Sequence, residues 1–307
     1  MLAFALRRLL AAIPTLFFVI LIAFLMVHAA PGGPFDSERA LPPEIEANVA
    51  AAYRLDEPLP AQFVRYLGGV VTGDFGPSYR YRDYTVAELI AGALPVSVLL
   101  GGLAMILALA FGIAAGSAAA LYRGSWLDRG IMASTMIGIS IPVFVVAPLF
   151  VLLFAVTLRW LPAGWSGADG TGRLVLPVVA LALPQVAYIA RLLRASLIDV
   201  LGSDFIRTAR AAGLPMQAVL FTHALKPAIL PVLSYLGPAV ASILTGSVVV
   251  EQIFGIPGLG QLFVTGALNR DYTLVLGIVI FYAALIVLMN LLVDLLYGAI
   301  DPRIRYS

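Results

Sequence analysis

Residues 199–231 read DVLGSDFIRTARAAGLPMQAVLFTHALKPAILP, and the reading of this stretch decides what kind of chain surrounds it. Ser203 or Asp204 can cap a short helix running through Phe205, Ile206, Thr208, Ala209 and Ala212. Gly213 breaks that helix. Pro215 suits the first turn of the next, which carries Met216, Val219, Leu220 and Ala224. Pro227 and Pro231 then launch a long apolar run. Two short amphipathic helices around a glycine, with nothing inside the loop to cover their apolar residues, imply either a partner surface or a position flat on a membrane.

The composition on either side calls for a membrane. The chain has 307 residues, 61% hydrophobic and 12% charged, with a mean hydropathy of +0.99. A soluble domain is roughly 45–50% apolar and about 25% charged. A chain with half that charge cannot clothe a globule in solvated side chains, which excludes an ordinary soluble enzyme and a disordered chain. The 19 basic residues against 17 acidic ones are too balanced for a nucleic-acid footprint. Cysteine is absent, so there is no disulfide framework, thiolate metal site or cysteine nucleophile.

A transmembrane helix needs about 20 mostly apolar residues. Stretches free of Asp, Glu, Lys and Arg give six spans, near 9–30, 95–121, 131–157, 174–194, 228–250 and 273–297. A further charge-free stretch, 252–269 (QIFGIPGLGQLFVTGALN), holds Gly255, Pro257, Gly258, Gly260 and Gly266 and reads as a loop or re-entrant element. Basic residues in the short loops set the orientation. With the N-terminus inside, Arg7, Arg8, Arg123, Arg129, Arg191, Arg194, Arg207, Arg210, Lys226, Arg303 and Arg305 are cytoplasmic, and only Arg159, Arg173 and Arg270 lie in short outer loops. Both termini are therefore expected in the cytoplasm. Arg7-Arg8 before an apolar run ending at His28-Ala29-Ala30 is the pattern of a signal peptide, but the run is long and five spans follow, so an uncleaved anchor is expected.

The expected organisation is an N-terminus with the first span (1–30), an extracytoplasmic segment (31–93) and a core of helices 2–6 (94–307) containing the cytoplasmic loop 199–226. In the outer segment Glu44 to Leu55 has a helical pattern ended by Pro58 and Pro60, while Gly68-Gly69 and Gly73-Asp74-Phe75-Gly76 mark turns.

Catalytic constellations are nearly empty. His28 and His223 are the two histidines, no H-E-x-x-H is present, and the single lysine, Lys226, follows Leu225, so there is no G-x-x-x-x-G-K-[ST] phosphate loop. Ser140 lacks the second glycine of a nucleophile elbow and reads as a packing or capping residue. Asp294 falls four residues after Asn290 on one face of the last span. A carboxylate at that depth marks either function or a pairing near the interface. Glu251 ends the fifth span as a solvated or loop-capping residue or a substrate contact. These three, Glu251, Asn290 and Asp294, are the candidates for a substrate path. Gly112 and Gly116 form a GxxxG that permits close helix approach, partner unspecified.

Ala209-Arg210-Ala211-Ala212-Gly213, followed by Leu225 to Pro231, resembles the EAA loop of binding-protein-dependent ABC importer permeases, with Thr208-Ala209-Arg210 where many members carry an acidic residue. The similarity extends over Met1 to Pro14, Ala30-Pro31-Gly32, Gly73 to Gly76, Asp204 to Gly213 and Val250 to Phe254, and points to the peptide/nickel branch. Pro34-Phe35, Leu41 to Glu44, Leu268 to Leu276 and Ala299 to Tyr306 are similar to the oligopeptide-permease B-subunit group within it. The resemblance implies an all-α membrane protein of six spans with the type I ABC importer permease fold and a small extracytoplasmic insertion after helix 1, in the bacterial cytoplasmic (inner) membrane. It implies a second homologous permease, two cytoplasmic ABC ATPase subunits that use ATP and Mg, and an extracytoplasmic peptide-binding protein in which specificity mainly resides. It implies no catalysis and no cofactor in this chain. Asp204, Arg207, Ala209, Ala211, Gly213, Pro215, Met216, Val219 and Leu220 would couple it to an ATPase, with Pro215 to Thr222 as the coupling helix. Dipeptide, glutathione or nickel import by the same family, and an ATPase-independent secondary transporter, remain the alternatives.

Overall fold

The computed structural model describes residues 2–29, 56–81, 83–165 and 171–300. The helix expected over Glu44 to Leu55 and the tail with Arg303 and Arg305 lie outside the described residues. In chain order the helices are α1 (Leu2–Ala29), α2 (Leu59–Thr72), α3 (Val86–Leu121), α4 (Trp126–Ser140), α5 (Val143–Phe150), α6 (Val175–Leu201), α7 (Asp204–Ala211), α8 (Met216–Ala218), α9 (Leu225–Ala228), α10 (Leu230–Phe254), α11 (Leu259–Leu268) and α12 (Tyr272–Ile300). A π-helical stretch, Val151–Thr157, extends α5, and another, Val219–Ala224, joins α8 to α9. The chain is an all-α membrane protein. Five helices, α1, α3, α6, α10 and α12, are long and apolar enough to cross a membrane, and α4 with α5 and its extension makes a sixth span if the pair is counted as one.

That pair corrects the expected span 131–157, because its two halves are bent by 102°. The cause is local. Pro142 disfavours a helical Ile141, which is extended at φ −92°, ψ 117°, and the proline, also extended at φ −61°, ψ 145°, is the N-cap of the next helix, which starts at Val143. The second span starts earlier than charge patterning indicated, at Val86. Thr85 and Glu88 close a reciprocal capping box there: the Thr85 amide donates to the Glu88 carboxylate at 2.8 Å, and the Glu88 amide to the Thr85 hydroxyl at 3.2 Å. Within 252–269, expected as a loop or re-entrant element, a turn at Gly255 is followed by the ten-residue α11, too short to cross a membrane.

The chain divides into two compact units. The first comprises Val98–Ile256 and Leu288–Ser307, with Met1. Its centre is α6, which packs against α4, α5 and α10 and buries Leu181, Gln185, Ile189, Leu193 and Leu197. Gly112 and Gly116 of α3 also meet α6. A Cβ on Gly112 would stand 2.7 Å from Ile189 Cγ2, and one on Gly116 2.7 Å from the Ala190 carbonyl, so the GxxxG seats α3 on this central helix.

The second unit comprises Leu2–Ser97 and Pro257–Val287. Its core gathers Val86, Ile90, Ala93, Leu259, Leu274 and Ile278, with Phe75 and Phe263 against it. Phe63 of α2 packs edge-on to Phe17 and Phe24 of α1. Asp271, fully buried ahead of α12, accepts from Ser78 Oγ and from the amides of Tyr79, Arg80 and Leu274, tying residues 78–80 to that helix start.

Candidate functional site

The loop after α6 is a folded unit. Helix α6 runs past its expected end to Leu201, and Gly202-Ser203 turn the chain into α7. Ser203 occupies the N-cap position, but its hydroxyl donates back to the Val200 carbonyl at 2.5 Å and makes no cap bond. Gly213 stops α7 with φ +81°. A Cβ on Gly213 would meet nothing within 4 Å, so the obstacle to a side chain is the left-handed backbone alone. Pro215, at φ −67°, is the N-cap of α8, one position earlier than expected, and from there the helical path runs with one turn residue, Ile229, into α10. The loop is thus built onto two membrane helices with no flexible linker.

Its apolar residues are partly covered, which corrects the expectation that nothing inside the loop does so. Ile206, Val219, Leu220 and Ala224 are buried within the chain, where α7 packs on the π-helical stretch and that stretch on α6. Of the nine coupling candidates, Val219 and Leu220 face inward and Ala209 is half-buried, while Asp204, Arg207, Ala211, Gly213, Pro215 and Met216 are exposed. Arg207 pairs with Asp204 at 3.1 Å on that surface. Three exposed apolar residues of the loop are not among those nine: Phe205, Leu214 and Phe221, the last 69% exposed. The amphipathic period finds a stripe but cannot tell which side of a short helix its own chain covers.

The three path candidates do not converge. Glu251 is wholly buried near the end of α10, where its carbonyl accepts from the Ile256 amide at 2.9 Å. Asn290 is exposed and sets its side-chain oxygen directly against Gly237, where any Cβ would collide with it. Gly237 and Glu251 are separated by about 21 Å of helix. Asp294 is half-buried one turn after Asn290.

Comparison with known proteins follows the same outline. Residues 108–306 match the model of the binding-protein-dependent transport system inner membrane component, and residues 1–100 match that of its N-terminal region. The chain belongs to this family. It is 56% identical over 306 residues, all of both chains, to the oligopeptide transport system permease protein OppB of Salmonella typhimurium. To the dipeptide transport system permease protein DppB of Bacillus subtilis it is 41% identical, over 98% of this chain and 97% of the relative. The fold is that of the inward-facing MetNI methionine ABC transporter, with a TM-score of 0.57 at 17% identity over 69% of this chain and 96% of that one. The permease is therefore a membrane-spanning protein with the type I importer architecture.

Sequence reading missed two polar groupings in this permease. Arg194 of α6 grips Asp128 in the first turn of α4 with two bonds, Nε to Oδ1 at 2.6 Å and Nη2 to Oδ2 at 2.7 Å. Gln185, Tyr235 and Ser242 form a hydrogen-bonded set between α6 and α10. Both couple residues 50 or more positions apart, and no local motif announces such pairs.

Proposed function

We propose that this chain is one of two membrane-embedded permease subunits of an ATP-driven importer, carrying oligopeptides handed over by an extracytoplasmic binding protein. The observation that carries the reading is the loop over residues 203–226: an exposed face of Phe205, Met216 and Phe221 beside Arg207 and Arg210, mounted without slack on two spanning helices. Such a face suits a groove in a cytoplasmic ATPase. The full-length similarity to OppB supports oligopeptides as cargo over dipeptides, glutathione or nickel.

In this reading ATP and Mg are used by the two ATPase subunits, and the chain itself binds no cofactor and catalyses no reaction. Closure of the ATPases presses α7 and α8 together with their counterparts on the second permease. Because Ile206, Val219 and Leu220 are buried where α7 packs on the π-helical stretch and that stretch on α6, the displacement is passed into the spanning helices, which open outward to receive the peptide. Hydrolysis resets them. The excess of Lys and Arg in loops on the side of this face supports cytoplasmic termini and a place in the bacterial inner membrane.

The test is Gly213→Pro. Proline is held near φ −65°, far from the +81° that turns α7 into α8. Peptide uptake in proteoliposomes of the full complex is expected to be lost, while the chain still inserts and assembles with its partners. Uptake at the wild-type rate would remove the coupling role from this loop.

A further inference from the structure

The middle of the first unit carries a polar set that the coupling loop does not use. Gln185 is 2% exposed, yet both ends of its amide are engaged. Its nitrogen donates to Ser242 Oγ at 2.9 Å, and its oxygen accepts from the Tyr235 hydroxyl at 2.8 Å. The Tyr235 ring lies against that of Tyr188, with centroids 5.5 Å apart. Tyr188 is the central residue of α6 and Ser242 that of α10. Gln185, Tyr188 and Ser242 therefore lie near the middle of the two spanning helices, close to the expected bilayer midplane, with Tyr235 about 10 Å nearer the start of α10.

From Ser242 the outer face of α10 continues polar. Ser234, Pro238, Ser242 and Thr245 are all exposed, three or four residues apart, and so share one side of the helix. The Ser234 and Thr245 hydroxyls return only to the Leu230 and Ala241 carbonyls of their own helix, at 3.2 and 3.1 Å, and to Ser242. Pro238 has no N–H, which takes the helical donor from the Ser234 carbonyl. No Asp, Glu, Lys or Arg occurs in residues 174–190 or 227–250. Asn290 belongs elsewhere: it meets α10 at Gly237, about 160° around the helix from Tyr235 and about 140° from Ser242.

Three surroundings can cover this face, and two fit badly. Hydrocarbon penalises exposed polar groups at depth, and the same unit offers apolar exposed residues for that purpose, among them Phe144, Leu149 and Leu152. Close helix packing favours small residues, whereas here the Tyr188 ring stands out from the surface, 42% exposed, with the half-buried Tyr235 ring against it. A peptide main chain fits. Its N–H and C=O groups pair with uncharged hydroxyls and amides whatever side chains it bears, and flat tyrosine faces accommodate apolar side chains of any shape.

We propose that Gln185, Tyr188, Tyr235 and Ser242 form a midplane station that holds the main chain of a peptide in transit, an inference that rests on the peptide-importer reading above. The absence of charge makes the station indifferent to peptide sequence, and Gln185, fixed at both ends, presents the Tyr235 and Ser242 hydroxyls in defined positions.

The chain has no cysteine, so a single introduced one is a clean reporter. In the complete reconstituted complex, Ser242→Cys and Tyr188→Cys are exposed to a water-soluble maleimide, with and without turnover on trialanine and the binding protein. Both chains are expected to be alkylated, and trialanine to slow the reaction by about threefold or more as it occupies the site. No alkylation in any nucleotide state places the face against another helix and overturns the proposal, as does a rate untouched by trialanine. Gln185→Leu supplies a second measure, against trialanine and its analogue N-methylated at the middle peptide bond. Uptake of trialanine is expected to fall about fivefold, the worth of one hydrogen bond. Its preference over the methylated analogue, relative to wild type, shrinks while binding-protein-stimulated ATP hydrolysis persists. Uptake and hydrolysis falling together with the preference intact would make Gln185 a packing residue only. A wild-type complex that hydrolyses ATP without taking up trialanine would instead overturn the importer reading, and the station with it.

Discussion

Among the buried carboxylates of the permease, Asp128 and Asp271 are held in opposite ways. Asp128, in the first turn of α4, is gripped by the Arg194 guanidinium from α6, with the Gly124 amide adding one bond at 2.9 Å. Asp271, in the second unit, is held by neutral donors: two hydroxyls, Ser78 and Thr273, and the amides of Tyr79, Arg80 and Leu274 satisfy it. The first arrangement joins two helices through a single long side chain and stakes its stability on both charges staying paired. The second distributes one negative charge over neutral donors and fixes the path of a loop. The difference teaches where each unit is vulnerable: the helix pair to loss of a partner, the loop to loss of an acceptor.

The comparison is broken most easily at Arg194. Arg194→Gln leaves the Asp128 carboxylate, whose side chain is 4% exposed, with one backbone donor. The expected loss is about 2–3 kcal/mol, the low end for a broken buried pair because the guanidinium keeps some contact with solvent. It is read from the thermal midpoint of the purified chain in detergent. Adding Asp128→Asn to the same chain should restore part of that loss, since both charges are then gone. A loss under about 0.5 kcal/mol would reduce the pair to an ordinary surface contact.

Asp271→Asn is expected to cost less, about 1–2 kcal/mol, because the amide keeps one oxygen and turns its nitrogen toward donors. The damage should be local. Hydrogen exchange at the Tyr79 and Arg80 amides should quicken while α6 is unaffected. A cost equal to that of Arg194→Gln would erase the distinction between the two carboxylates.

Neither carboxylate was legible as a site in the sequence, and the reason is separation. Asp128 and Arg194 stand 66 residues apart, Ser78 and Asp271 193. Helical period and charge sparsity act over one element, so they located the spans and the loop turning on Gly213, but not what each element meets. Gly112 and Gly116 announced a close approach, and only the structure named α6 as its object. Two features were present in the sequence and passed over. The reciprocal Thr85 and Glu88 pattern marks the true start of α3, and Ile141-Pro142 marks the bend between α4 and α5. In both cases the absence of charge, a signal of membrane depth, outweighed local backbone chemistry, a signal of where a helix begins or breaks. In the loop the nine coupling candidates span one segment, but Val219 and Leu220 are buried within the chain, and neither a resemblance nor a helical period says which side of a short helix is covered.

The smallest effect sharpens the comparison from the other side, with a polar group that has no donor or acceptor supplied. The Tyr66 hydroxyl of α2, in the same unit as Asp271, is buried and has no hydrogen-bond partner among the described residues. Burial pushes its phenol above the ordinary value of 10.0, and Tyr79 adds to the shift. Tyr66→Phe removes a group already denied water, so it should leave stability unchanged or raise it by about 0.5–1 kcal/mol. The pH dependence carries the sign. The folded chain keeps the Tyr66 proton at pH values where the unfolded chain has released it, so its contribution is intact below pH 10 and declines as pH rises past the unfolded value. The thermal midpoint of the wild type should thus fall more steeply above pH 10 than that of Tyr66→Phe, while the two run parallel at neutral pH. Parallel curves throughout would mean that Tyr66 is satisfied after all, in the manner of Asp271.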